Sequence, residues 1–333
     1  MRVILLGPQR RPTVDAVARY HALGVSGPVA VVTAGWQERE PDDAELRRLV
    51  GGRAVNLGLY RRWLDVQGRD PGYFAAERRL AETLAELQDL YLLRLDYALR
   101  AVYALQRRAA GVAGAGEAGA GEAGAGEAGA GVAGAGADAF AAAMAAVREL
   151  DTAHLRRVNG AWLEFIQQWP PHDRPVIAEH RAEVSALLAG ASAVVIAGGH
   201  VGVLAGVLHL FNVGAALESA AGRPLVVAWS AGAMALTDRI VLFHDRAPQG
   251  PGHPEMYASG LSVVRDAVLL PHARARLLLD DTARMAVFAR RFGPARCVPL
   301  EAGTRIDVSP DGAWPPGVRV LGDDGHMTAR EAA

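Results

Sequence analysis

Short apolar runs recur along this chain, each bounded by Gly or Pro and separated from the next by stretches with helical spacing. The runs do not alternate with polar residues, which is typical of strands buried on both faces of a parallel sheet. The predicted strands are Val3 to Leu6, Pro28 to Thr33, Ala193 to Ala197, Leu225 to Trp229 and Ala267 to Leu270. We therefore predict an α/β fold with a doubly wound, mostly parallel sheet, whose ligand site lies at the carboxyl ends of the strands.

The pattern changes between residues 73 and 188, where Leu, Ala, Arg and Glu dominate and turn residues are few. Apolar residues at helical spacing predict a long amphipathic helix over 74–108 and a second helix over 138–168. Between them, residues 111–136 repeat Gly-Glu-Ala-Gly-Ala with a period of five that fits neither helix nor strand, so we predict a mobile linker. We favour a helix pair that packs on the core; the alternative is a lid or a partner-binding hairpin.

These changes of pattern divide the chain into four predicted parts. The insertion is also the surface on which we expect any protein partner or homo-oligomer contact. The parts are 1–72 and 189–325 for the two halves of the α/β core, 73–188 for the helical insertion, and 326–333 for a frayed tail.

Composition narrows the function classes. The chain has 333 residues, of which 51% are hydrophobic and 21% charged, and a formal net charge of -1. Such a balance indicates a large soluble core and argues against nucleic-acid or membrane partners. Cys297 is the single cysteine and the ten histidines have no paired metal-ligand spacing, so we predict no disulfide, metal or cofactor. The first residues are too short an apolar run for a secretory signal, and Gly, His and Asn interrupt the longest one, so we expect a cytoplasmic protein.

The strand that ends at Ser230 carries the clearest candidate chemistry. Ala228, Ala231 and Gly232 are small residues on either side of the serine. Small neighbours permit the sharp strand-to-helix turn of a nucleophile elbow. Serine is also an ordinary helix N-cap, so this pattern alone leaves both interpretations open.

A serine hydroxyl needs a base, and the base needs a group that orients it. His272 follows the predicted strand over 267–270, so we expect it at the same sheet edge as the serine. Asp245 ends another apolar run and is our candidate for the orienting acid. His244 competes as the base, but neighbouring positions on a strand face opposite ways, so we do not expect both to point inward. The competing acids are Asp238, Asp266 and Glu301.

Acyl transfer also needs two donors for the oxyanion. The N–H of Ala231, directly after the serine, is one candidate. The pair Gly198-Gly199 at the end of an earlier strand can supply the other, because glycine permits close backbone approach. The alternative is a phosphate-binding glycine turn, although the six-residue dinucleotide fingerprint is absent.

As a set, these residues resemble the family of serine peptidases that contains peptidase E, the aspartyl dipeptidase, and the cyanophycinases. Trp229-Ser230-Ala-Gly-Ala is similar to the family's elbow, Pro271-His272 to its base and Ala197-Gly198-Gly199 to its oxyanion glycines. Asp245 lies 15 residues after the serine, a position similar to that of the third triad member. The resemblance implies a flavodoxin-like, class I glutamine amidotransferase-like fold with serine in place of cysteine.

The resemblance also implies roles for individual residues. His200 stands where the family commonly has Asn or Asp, and Glu301 is offset from the family's usual Glu, so we expect a substrate specificity that differs from that of the aspartyl dipeptidases. The implied sites are Ser230, His272 and Asp245 for catalysis, Gly199 and Ala231 for the oxyanion, and Gly198, His200, Trp229 and Glu301 for the substrate.

The expected function is that of a serine-type peptidase or amide hydrolase that acts on a small peptide or related amide through an acyl-enzyme. A class I glutaminase is disfavoured because Cys297, the only thiol, lies outside any elbow. The alternative from another class is a catalytically silent binding or scaffold protein that uses the helical insertion.

Overall fold

A mostly parallel sheet forms the centre of a mixed α/β fold with a long helical region. The computed structural model describes residues 1–9, 25–50, 53–118, 126–246 and 252–330, and it describes their side chains except at 110–133 and 330. Within these ranges the central sheet has the strand order β10-β1-β5-β4-β2-β3, in which only β10 runs antiparallel to its neighbour. Its strands are β1 (Val3–Leu6), β2 (Val29–Val32), β3 (Ala54–Asn56), β4 (Ala193–Ile196), β5 (Leu225–Trp229) and β10 (Arg305–Val308).

Both faces of the central sheet are buried, as the unbroken apolar runs predicted. Val3 and Leu5 of β1 pack into the large core on one face, whereas Ile4 and Leu6 pack into a smaller core on the other. Successive side chains of a strand point to opposite faces, so a strand between two apolar layers must be apolar throughout.

The remaining strands form pairs outside the central sheet. The prediction that the strand before His272 belongs to that sheet is wrong, because β8 pairs in parallel with β9 instead. The antiparallel β10 occupies the edge beside β1. The pairs are β6 (Ile240–Leu242) with β7 (Glu255–Ala258), β8 (Ala267–Pro271) with β9 (Arg296–Leu300), and β11 (Val318–Leu321) with β12 (Met327–Arg330).

Helices connect and cover these strands. Two short 3₁₀ helices also occur, at Ala34–Arg39 and Pro171–Asp173. The α-helices are α1 (Ala44–Leu49), α2 (Leu59–Arg69), α3 (Pro71–Ala118), α4 (Gly126–Gln168), α5 (Pro175–Ala189), α6 (Val201–Leu210), α7 (Val213–Ser219), α8 (Ala231–Ala235), α9 (Ala273–Arg276) and α10 (Thr282–Phe292).

The insertion is a pair of long helices that pack on each other and on the core. Tyr91 and Leu95 of α3 and Val147 of α4 belong to the large core, which is the arrangement favoured from the sequence. The predicted linker over 111–136 is too wide, since helix continues to Ala118 and resumes at Gly126. Each residue added to a helix that is already nucleated gains a hydrogen bond, and alanine, the strongest helix former, offsets part of the cost of the glycines. The middle of the predicted linker lies outside the described residues.

The tail also differs from the prediction. Residues 327–330 form β12, in register with β11 through the pair Leu321 and Met327, so a frayed segment over 326–333 is wrong for this part. The turn between the two strands is closed by hydrogen bonds from Gly322 N–H to His326 and from Gly325 N–H to Gly322. Residues 331–333 lie outside the described range.

In the part of the chain that the structure describes, no single helix is long and apolar enough to cross a membrane. The bent pair α6 and α7, at 58°, passes the same test of length and composition when its two helices are taken together.

Candidate active site

Ser230 lies on the turn between β5 and α8, with φ 53° and ψ -123°. This backbone conformation is strained for a residue other than glycine and costs about 1–3 kcal/mol, so the surrounding structure must hold it. Gly232 shows how tight the turn is, since a Cβ there would lie 2.4 Å from the carbonyl oxygen of Ile196. The small residues around Ser230 therefore permit this turn, as the elbow pattern predicted.

The glycine pair lies beside the serine because β4 and β5 are neighbours in the sheet. A Cβ on Gly198 would lie 2.9 Å from the Cβ of Ser230. Gly199 has φ +127°, and a Cβ there would lie 2.2 Å from the carbonyl oxygen of Gly35. The structure thus brings together Gly198, Gly199, Ser230 and the first N–H of α8, on Ala231.

A cavity of about 330 Å³ opens at this point. Gly199, Ser230 and Ala231 form one part of its wall, and Pro271, which precedes His272, forms another. The rest of the wall carries apolar side chains together with four ionisable residues: His244, His253, Glu255 and Arg276. A concave site with a strained serine and convergent polar groups is the usual form of an active site.

His272 follows β8 in a left-handed conformation, φ 57° and ψ 37°, at the start of α9. Its N–H donates to the carbonyl of Leu300 at 3.0 Å. The helix after Ser230 contacts β8, so the loop that bears His272 lies near the serine turn even though β8 is outside the central sheet.

Asp245 has partners other than the predicted base. It is 3% exposed, and its carboxylate accepts two hydrogen bonds from the guanidinium of Arg284, at 2.6 and 3.0 Å, and one from the N–H of Leu278, at 3.1 Å. Arg284 also donates to the carbonyl of Gly252, on the cavity wall. Asp245 is thus paired with Arg284 and helps to hold a loop of the cavity, and its role in orienting His272 stays a prediction.

Glu301, one of the competing acids in the sequence, lies next to His272. The parallel register pairs Pro271 with Leu300, which places the following residues of β8 and β9 side by side. The Oε1 of Glu301 accepts from the N–H of Arg274 at 2.7 Å, within the turn that begins at His272. Glu301 does not line the Ser230 cavity, and its contact with substrate stays a prediction.

Two further residues predicted to contact substrate, Trp229 and His200, are not among the residues that line this cavity. Trp229 is 5% exposed and packs with Ile4 and Leu6 in the smaller core, because the residue before the serine points to the opposite face of the sheet. His200 is exposed and caps α6, where its Nδ1 accepts from the N–H of Val203 at 3.1 Å.

Sequence reasoning missed part of the cavity wall. His244 points into the cavity while Asp245 is buried, in agreement with the expected opposite orientations. His253 and Glu255 were not singled out, because they follow no motif and reach the cavity only through the pairing of β7 with β6. Burial lowers the pKa of His253, and its Nδ1 is buried with no hydrogen bond among the described residues.

The single thiol lies away from this chemistry. Cys297 is buried in β9, and that burial raises the pKa of its thiol to about 12, so it is not a reactive nucleophile at neutral pH. Among the described residues, no group of three or more His, Cys, Asp or Glu side chains is arranged to hold a metal ion.

Comparison with known proteins adds no family assignment: no family model and no curated protein sequence matches this chain.

Proposed function

We propose that this protein is a serine hydrolase that cleaves a peptide or related amide bond through an acyl-enzyme. The observation that carries the proposal is the strained backbone of Ser230 at the carboxyl end of β5, on the wall of a cavity and against the Gly198-Gly199 turn. A helix N-cap needs no such strain, because ordinary caps adopt extended backbone angles. Strained residues of this kind cluster at functional sites, and here the strained residue is a serine on a cavity wall.

In the proposed mechanism, the Ser230 hydroxyl attacks the substrate carbonyl while His272 accepts its proton. The N–H groups of Gly199 and Ala231 stabilise the tetrahedral oxyanion. His272 then donates the proton to the leaving amine, and a water molecule that it deprotonates releases the acyl group from the serine.

We assign the orienting acid to Glu301 in place of Asp245. Two contacts support this choice: the register of β8 with β9 sets Glu301 beside His272, and the carboxylate accepts a hydrogen bond inside the His272 turn. Asp245 has its oxygens engaged by Arg284 and Leu278. The proposed set is therefore Ser230, His272 and Glu301.

The resemblance to peptidase E and the cyanophycinases belongs to the same proposal. It includes a flavodoxin-like, class I glutamine amidotransferase-like topology and a cytoplasmic protein that acts on a small substrate. The order of the strands that carry the glycines and the serine supports it, with β4 and β5 adjacent and parallel.

A fluorophosphonate probe tests the proposal, because it reacts with activated serines. We expect one label per chain, located at Ser230 by peptide mass spectrometry and absent from Ser230→Ala. Ser219→Ala is the matched control, since Ser219 is an exposed serine at the end of α7. Labelling that persists in Ser230→Ala, or a folded wild-type protein that takes no label, would contradict the proposed hydrolase.

A further inference from the structure

Glu255 is a carboxylate on the wall of the Ser230 cavity. It takes part in no ion pair within the described residues, and only its Oε2 has a hydrogen bond there, from the Nε2 of Gln88 at 3.0 Å. The residue is partly buried, and burial raises the pKa of its carboxyl group. Arg291 offsets part of this effect from a distance, but no described cation pairs directly with the carboxylate, and a desolvated charge without a paired cation is costly. A positively charged group of a ligand would supply that partner.

The helical insertion holds Glu255 in place. Gln88, on α3, also shares a hydrogen bond with the Nε2 of His154 on α4, at 2.9 Å. The ring of His154 stacks on Tyr91 with 4.0 Å between centroids, and the Tyr91 hydroxyl accepts from the N–H of Met256 at 3.1 Å. Because Met256 follows Glu255 in β7, both the side chain and the backbone at this point are fixed by the insertion. Fixed groups lose little entropy when they bind a ligand.

Two arginines near this wall are already paired with aspartates. Arg291 forms a buried bidentate ion pair with Asp151, and Arg284 forms another with Asp245. Arg276 reaches the same cavity but makes no ion pair with Glu255. Glu255 is the one carboxylate among the described residues that line this cavity, and it has no ion-pair partner there.

We propose that Glu255 is a specificity-determining residue that binds an ammonium or guanidinium group of the substrate. The inference rests on the proposed function only in so far as the bound cation is part of the molecule that Ser230 attacks. Apolar neighbours on the same wall, Met234, Leu242 and Phe243, would pack against the alkyl chain that carries the cation.

Small analogues test this subsite without knowledge of the substrate. The probes are n-butylguanidinium and n-butylammonium, with n-butanol as the neutral control. We expect the two cations, at millimolar concentration, to slow fluorophosphonate labelling of Ser230 and n-butanol to have little effect. In Glu255→Gln the protection by the cations should fall about tenfold to a hundredfold, the usual effect of losing a hydrogen bond between charged groups.

Two further variants separate charge from shape. Glu255→Asp keeps the charge and should keep the preference for the cations over butanol, whereas Glu255→Gln keeps the size and the hydrogen bond from Gln88 but should lose the preference. Thermal unfolding of each variant verifies that it is folded. Equal protection by cations and butanol, or equal protection in wild type and Glu255→Gln, would overturn the inference.

Isothermal titration calorimetry tests the cation site at Glu255 independently of the proposed hydrolase. Binding of n-butylguanidinium to Ser230→Ala needs no catalysis, so it reports on Glu255 alone. A wild-type protein that binds the cation through Glu255 but takes no fluorophosphonate would disprove the hydrolase and retain the cation site. A protein that is labelled at Ser230 but releases or absorbs no heat with the cation would disprove the cation site and retain the hydrolase.

Discussion

The Ser230 cavity has two walls that are built in different ways. The first, which we call the serine wall, consists of the chain turns after β4 and β5, where Gly199 and Ser230 are held in unusual backbone conformations. The second, the insertion wall, consists of β7 and the segment before it, with His253 and Glu255 held from behind by α3 and α4. Backbone geometry forms the first wall, and buried polar side chains fix the second.

In the proposed hydrolase, the serine wall carries the reacting groups and the insertion wall carries the groups that bind the substrate. The serine wall needs small residues because a larger side chain would collide with neighbouring backbone. A Cβ on Gly232, for example, would lie 2.4 Å from the carbonyl oxygen of Ile196. The insertion wall relies on the buried pair Arg291 and Asp151, and buried pairs add little net stability while being costly to break. We infer that the insertion, besides packing on the core, fixes the positions of the polar side chains on this wall.

The largest expected effect is a loss of turnover on changing Glu301, the acid proposed to orient His272. Glu301→Gln should lower kcat by about four orders of magnitude, because a serine triad that loses its orienting carboxylate holds the histidine in the wrong tautomer. Glutamine keeps an acceptor for the N–H of Arg274, so the fold should survive. Steady-state kinetics on an amide substrate found by library screening, with a pH profile, measures the effect.

Asp245→Asn is the comparison for that prediction. It weakens a buried ion pair with Arg284 and should lower the midpoint of thermal unfolding while leaving the reactivity of Ser230 in the folded protein near that of wild type. The assignment of Glu301 fails if Asp245→Asn abolishes turnover at full stability and Glu301→Gln does not.

The next largest effect is a loss of stability on breaking the buried ion pair behind the insertion wall. Asp151→Ala leaves Arg291, 3% exposed, as an unpaired buried charge and should lower the free energy of unfolding by about 3–5 kcal/mol. Glu149→Ala, in the same helix, removes an exposed pair with Arg156 and should change the stability by less than about 1 kcal/mol. Urea unfolding gives both values; equal losses would mean that the buried pair does not fix this wall.

The sequence was informative about the serine wall for a physical reason. Unbroken apolar runs predicted strands β1, β2, β4, β5 and β8 within about one residue, and Gly198, Gly199 and Ser230 were read from where those runs end. Parallel strands deliver their carboxyl ends to one edge, so local patterns were enough to bring these residues together. The pairing of β8 with β9 was missed because sheet membership depends on nonlocal packing.

The insertion wall could not be predicted in the same way. Glu255 reaches the cavity through the pairing of β7 with β6 and through Gln88, which lies 167 positions earlier in the chain. Asp245 was predicted as the acid because it ends an apolar run, and no sequence pattern indicated its distant ion-pair partner Arg284. Trp229 was predicted to contact substrate from its place in the elbow motif, and strand alternation directs its side chain into the smaller core.

A smaller effect is expected from Tyr91→Phe. The Tyr91 hydroxyl donates to Asp151 and accepts from Arg291 and from the N–H of Met256. Its loss leaves donors without this acceptor and should cost about 1–3 kcal/mol of unfolding free energy. Tyr97→Phe is the control, since that side chain is 68% exposed, and should change stability little. Hydrogen exchange at Met256 should rise in Tyr91→Phe alone; unchanged exchange would contradict the link between insertion and β7.

The smallest effect tests whether the two walls touch. Helix α6 starts directly after the glycine turn of the serine wall, and a Cβ on Gly202 in its first turn would lie 2.4 Å from the hydroxyl of Tyr257 on β7. One turn later, a Cβ on Gly206 would meet no atom within 4 Å. Gly206→Ala should therefore stabilise the protein by up to about 1 kcal/mol through helix propensity, whereas Gly202→Ala should lose that gain to the collision. Thermal unfolding of the two variants measures the difference. Equal stabilisation would show that Tyr257 moves freely and that β7 is not held against the serine wall.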